Sequence, residues 1–82
     1  MNHPEEHCIA LFASIHHVLA AEKALREQEI WCDLVPTPKR LSSDCGMSVE
    51  LRREDLPAAR RLFSGDRWRL LGLYPREGGE PL

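Results

Sequence analysis

Seven residues from His7 to Ala13, HCIALFA, form a nearly continuous apolar run of strand length that stops at Ser14. Such a run is too short to cross a bilayer and too uniformly apolar for a strand with one wet face, so it predicts a buried central strand. Ser14 is a helix-capping residue type, because its hydroxyl accepts from an amide left without a partner in the first turn. Behind it Val18, Ala21 and Leu25 recur at three- and four-residue spacing, with Ala24 beside them and Lys23, Arg26 and Glu27 pointing away. That spacing predicts an amphipathic helix over residues 15–28, with Ile15 and Leu19 at the border of its apolar stripe.

The rest of the chain alternates in the same manner. Ile30 to Val35 (IWCDLV) reads as a second strand that ends at Pro36 and Pro38, which have no amide to donate to a ladder. Residues 36–45 (PTPKRLSSDC) are too polar to bury and too long for a tight hairpin, so they read as a loop. Met47, Val49 and Leu51 alternate with Ser48 and Glu50, which predicts a half-solvated third strand. Asp55 is placed to cap a second helix carrying Leu56, Ala59, Leu62 and Phe63 on one stripe, with Pro57 in its first turn. Trp68 to Tyr74 (WRLLGLY) reads as the last strand, and Pro75 with Gly78-Gly79 as a loose tail.

Six elements in the order β-α-β-β-α-β suit an α+β, ferredoxin-like domain: a four-stranded antiparallel sheet with two helices on one face. The 82 residues are the size of one domain, expected to be ordered from about 7 to 75 with short polar tails. Trp31 and Val35 fall on the second strand's other face, where exposed apolar side chains would mark a partner surface, so a homodimer is one expectation.

Charge and cysteine usage narrow the function classes. A net charge of −2 speaks against nucleic acid as the main partner, since such proteins carry a basic excess for counterion release, although a local basic patch is compatible with it. The acidic amino terminus lacks the basic region of a signal peptide, and three cysteines at irregular spacing make neither a secreted disulfide framework nor a zinc site. A soluble cytoplasmic protein with reduced thiols, no membrane, no metal and no cofactor is the expectation. Cys8 and Cys32 lie within apolar strand runs and read as core. His3 and His7 invite a metal reading, but their spacing with Cys8 matches no standard site, and solvated histidines are expected instead.

Cys45 is the cysteine with a polar flank, LSSD, followed by Gly46 and an apolar run. In the expected fold, the loop before the third strand and the start of the first helix lie at the same end of the sheet. This brings Cys45 toward Ser14, His16 and His17 and toward the positive end of the helix, with Lys39 and Arg40 in the same loop. Such surroundings favour a thiolate, and one of the adjacent histidines could serve as a base or donor. Gly46 would leave the sulfur approachable. Equally, a lone cysteine at a strand start can be a small packed hydrophobe, a basic pair in a loop can be plain solvated surface, and Asp44 opposes a thiolate unless it points away.

The segments FASIHHVLAAEKAL and LVPTPKRLSSDCGMSV and the closing GLY resemble a family of small bacterial proteins described as selenium/sulfur carrier-like, over about His7 to Tyr74. The most specific part is Pro36-Thr37-Pro38, then Ser42-Ser43 and Cys45-Gly46. The resemblance implies a carrier in which an exposed Cys45 holds a persulfide or perselenide, with sulfur or selenium donor and acceptor proteins as partners rather than a free-standing enzyme. The chain has no Cys-Pro pair of the kind used in some sulfur relays, and Cys-Gly is a different local geometry. A small ligand- or partner-binding regulatory module and a thiol redox sensor are the alternatives.

Overall fold

A computed structural model describes residues 6–41 and 45–82. The predicted order is present: β1 (His7–Phe12), α1 (Ile15–Glu27), β2 (Cys32–Pro36), β3 (Met47–Arg52), α2 (Leu56–Leu62) and β4 (Leu70–Pro75), with single 3-10 turns at Arg53–Asp55 and Asp66–Trp68. The strands form one antiparallel sheet in the order β2-β3-β1-β4, so the apolar run of β1 is central. This is the ferredoxin-like α+β arrangement.

Local chemistry sets the element ends. Ser14 caps α1 in extended geometry, its Oγ accepting from the His17 amide at 3.4 Å. The helix closes in a Schellman motif, in which the Ile30 amide donates to the Leu25 carbonyl at 2.9 Å and the Glu29 amide to the Arg26 carbonyl at 3.0 Å. Ile30 and Leu25 then meet in the core, while Glu29 takes the left-handed conformation at φ 57°. β4 starts two residues later than the sequence suggests. Arg69 turns the chain with φ 53°, leaving Trp68 in a 3-10 turn against the Phe63 ring at 5.0 Å.

Pairing assigns the two sheet faces. Cys8↔Leu51 and Ala10↔Val49 point at the helices and pack with Val18, Ala21, Leu25, Ala59 and Phe63. On the opposite face stand His7, Ile9 and Leu11 of β1 with Ser48 and Glu50 of β3. A half-solvated β3 was the expectation here, and the structure corrects it: Ser48 and Glu50 are buried, as are His7, Ile9 and Leu11. The covering comes from neighbours that sequence alternation does not report. Thr37 sits on Ser48, Arg76 reaches Glu50, Trp31 lies against His7, and the Tyr74 ring lies so close over Gly72 that a Cβ there would come within 2.9 Å of it.

The tail is likewise tied rather than loose. The Arg76 amide donates to the His7 carbonyl at 3.1 Å, the Leu82 amide donates to the Leu73 carbonyl at 2.8 Å, and Leu82 packs on the core. Gly78 and Gly79, both near φ 110°, supply the left-handed turn that brings the chain back.

Because Glu29 holds a conformation that costs an L-residue roughly 1 kcal/mol and glycine almost nothing, Glu29→Gly is expected to raise stability by about 0.5–1 kcal/mol. A higher urea midpoint at unchanged slope checks this.

Candidate functional site

The register that aligns Ala10 with Val49 runs β3 from the carboxyl end of β1 toward its start, so Cys45 and Gly46 precede β3 beside the end where α1 begins. Cys45, Ser14, His16 and His17 therefore share one end of the sheet, as the connectivity requires. Ser42 and Ser43, with Asp44, lie outside the described residues, as does His3.

At that end Cys45 is set inward. The residue is 8% exposed and belongs to the buried core cluster, and its thiol donates to the Met47 carbonyl at 3.3 Å. The expectation of an exposed cysteine at a loop tip is corrected on this point. The reason is that strand-like pairing extends one step beyond β2 and β3. The Thr37 amide donates to the Gly46 carbonyl at 2.9 Å, and Thr37 Oγ1 donates to the Cys45 carbonyl at 3.0 Å. The Ser48 hydroxyl, 2.6 Å from Thr37 Oγ1, completes the clamp. Thr37 is a residue of this site that the sequence reading does not single out. Its signal was a lone β-branched hydroxyl between two prolines, a position where the flanking residues have no amides of their own to pair. Gly46 has open space where a Cβ would stand and a φ outside the left-handed region, so neither crowding nor backbone conformation requires glycine there.

The remaining expected residues divide. Ser14 Oγ and His17 Nδ1 lie 2.7 Å apart, so the half-buried imidazole of His17 is bound to the helix cap. His16 is exposed, as is Lys39. Arg40 is brought to the carboxyl-terminal segment, where its guanidinium donates to the carbonyls of Pro75, at 2.5 Å, and Arg76, at 3.0 Å. The loop is thereby tied to the end of β4.

The other two thiols are core residues, as expected. Burial pushes Cys8 up to about 11, and burial also raises Cys32, whose thiol lies 4.0 Å from the Glu22 carbonyl. No disulfide links the cysteines.

A second polar cluster lies on the face away from the helices, and the sequence did not announce it. Glu50 Oε2 binds His7 Nδ1 at 2.5 Å, and Glu50 Oε1 accepts from Arg76 Nε at 2.9 Å. His7 is thus a buried partner of Glu50, not a solvated terminal histidine. Burial pushes the Glu50 pKa upward, but the bonds from His7 and Arg76 and their charges outweigh it, so the pKa ends below the ordinary carboxylate range. Beside the pair, Ile9, Val35, Pro36 and Pro38 line an open cleft of about 320 Å³. Trp31, expected on an uncovered sheet face, is 38% exposed and tilts against the His7 ring at 5.2 Å.

The fold and the thiol-bearing end define a small α+β domain with one cysteine at the mouth of its central loop. The chain belongs to the family described as "Putative Se/S carrier protein-like", whose model matches residues 7–75 and thus every strand and both helices. No curated protein and no solved structure matches it. Among the described residues no cluster of three or more metal-ligating side chains occurs, and no helix is long and apolar enough to cross a membrane.

Two outcomes follow from this geometry. Thr37→Val removes the clamp and leaves the buried Ser48 hydroxyl without its partner, which is expected to cost about 1–2 kcal/mol and to raise the alkylation rate of Cys45 severalfold. Mass-resolved alkylation with Cys8 as internal reference checks it. A carboxyl held below its unfolded range stabilises the fold fully above that range, and the contribution is lost as pH falls through the lowered folded value. Wild-type stability therefore falls on acidification below about pH 4.5, whereas Glu50→Gln starts lower, by about 2 kcal/mol, and declines less steeply. Urea unfolding from pH 3 to 7 separates the two profiles.

Proposed function

We propose that this protein carries sulfur or selenium, with Cys45 as the atom-bearing residue. The observation that carries the reading is the family match over residues 7–75. The position of Cys45 adds support, since it follows the loop at the end of the sheet where α1 begins.

The chemistry is a thiolate–persulfide exchange. The Cys45 thiolate attacks the outer sulfur of a donor enzyme's persulfide, the donor's S–S bond breaks as the Cys45–sulfur bond forms, and the donor leaves as a thiolate that takes up a proton from water. Delivery is the reverse displacement on an acceptor thiolate. With selenium the same exchange ends in a sulfur–selenium bond. No net oxidation occurs, because the transferred atom keeps its zero-valent state throughout. Ser14 and His17 hold the helix terminus in place, Gly46 leaves the backbone beside the sulfur open, and Lys39 contributes positive charge to the loop. On this reading the protein is a carrier and has no turnover of its own, and its partners are the donor and acceptor proteins.

The inward-set Cys45 thiol also suits a second reading, a partner-binding module in which this cysteine is structural. Incubation with a cysteine desulfurase and cysteine, followed by intact-protein and peptide mass spectrometry, decides between them. One added sulfur atom on Cys45 is expected in the wild type and in Cys32→Ala, and none in Cys45→Ala. Sulfur found equally on all three cysteines, or transfer to an acceptor thiol unchanged by Cys45→Ala, would overturn the carrier assignment.

A further inference from the structure

Residues 52–69 hold six arginines against three acidic residues, in a chain whose net charge is −2. Two of these arginines, Arg52 and Arg53, stand where β3 ends beside the start of β1, and Arg52 pairs there with Asp55 at 3.4 Å. The other four gather at the opposite end. Arg60 and Arg61 occupy the last turn of α2, and Arg67 and Arg69 belong to the turn that leads into β4. Three contacts tie this turn and the end of α2 to the end of β1: the Ala13 amide donates to the Arg69 carbonyl at 3.1 Å, the Phe12 and Phe63 rings meet at 5.3 Å, and Phe63 meets Trp68 at 5.0 Å. This is the end of the sheet at which Cys45 precedes β3.

All four arginines are exposed, and among the described residues none of them forms an ion pair. The Arg67 guanidinium carbon instead lies over the Trp68 ring, 4.5 Å from its centroid, which holds the guanidinium in place at the surface. Apolar surface adjoins the charges. Leu71 is 58% exposed on β4, Ile15 is 42% exposed at the first turn of α1, and a cleft of about 400 Å³ opens between Phe63, Gly65, Arg69 and Leu71. Uncompensated guanidiniums around exposed apolar side chains are the composition of a protein-binding surface, in which arginine and large apolar groups are enriched and lysine is depleted.

We propose that this end of the domain docks an acidic segment of a partner protein, its carboxylates on Arg60, Arg61, Arg67 and Arg69 and an apolar side chain of the segment against Leu71 and its cleft. A protein segment is favoured over nucleic acid because the large apolar side chains exposed beside the arginines, Leu71 and Ile15, are aliphatic and offer no stacking platform for a base. The surface stands on charge and exposure alone and holds whether or not Cys45 carries an atom.

The probe is a fluorescent peptide rich in Asp and Glu with a central Leu, measured by anisotropy against the intact protein at about 0.15 M salt. Saturable binding is expected, weakened about tenfold or more by Arg67→Glu/Arg69→Glu and by Arg60→Glu/Arg61→Glu, and severalfold by Leu71→Ser or by replacing the peptide's Leu with Ser. Lys23→Glu changes the net charge on a distant face of α1 and is expected to bind as wild type. The two arginine pairs lie on different elements, and circular dichroism shows which variants keep the fold. Absence of saturable binding, equal loss in Lys23→Glu, indifference to both leucine replacements, or displacement of the peptide by poly(U) RNA binding more tightly would each overturn the proposal.

Discussion

Everything in this domain is arranged around a strand buried on both faces. β1 contributes Cys8, Ala10 and Phe12 to the helix-covered core and His7, Ile9 and Leu11 to the other side, and all six are nearly inaccessible. Two helices can cover only one side of a four-stranded sheet. In a chain of this size the second side has to be covered by loops and long side chains. The loop after β2 and the segment after β4 do this, and Arg40 joins them through the carbonyls of Pro75 and Arg76.

The covering creates both polar features of the molecule. Glu50 stands opposite Ile9 in the ladder, so once that face is covered its carboxylate must be paired or protonated. His7 and Arg76 pair it, and the net effect on its pKa is downward in spite of burial. Thr37 serves the loop in the same manner, donating to Cys45 and Gly46 on one side and meeting Ser48 on the other. Cys45 is drawn inward as a result of this pairing, which couples the thiol's surroundings to the anchoring of the loop.

Charge is distributed with comparable economy. Arginines near acidic neighbours, such as Arg26 beside Glu22 and Arg76 beside Glu50, are consumed in pairs. Among the described residues those of α2 and the following turn are not, and they lie at the same end of the sheet as Cys45. A local count along residues 52–69 contains this information, whereas the whole-chain net charge conceals it.

The sequence by itself determined the element order, the cap at Ser14, the inner face of α1, the packing of Cys8 and Cys32, and the end of the sheet at which Cys45 lies. These follow from periodicity, capping chemistry and connectivity, which act over a few residues or are imposed by strand direction. Tertiary structure alone decided that Ser48, Glu50 and His7 are buried, that the tail is tied, that Arg40 turns away from the cysteine, and that Cys45 points inward. Each of these depends on a contact between residues far apart in the chain, His7 with Glu50 or Arg40 with Pro75, and an alternating pattern looks the same whether its polar side meets water or a returning loop.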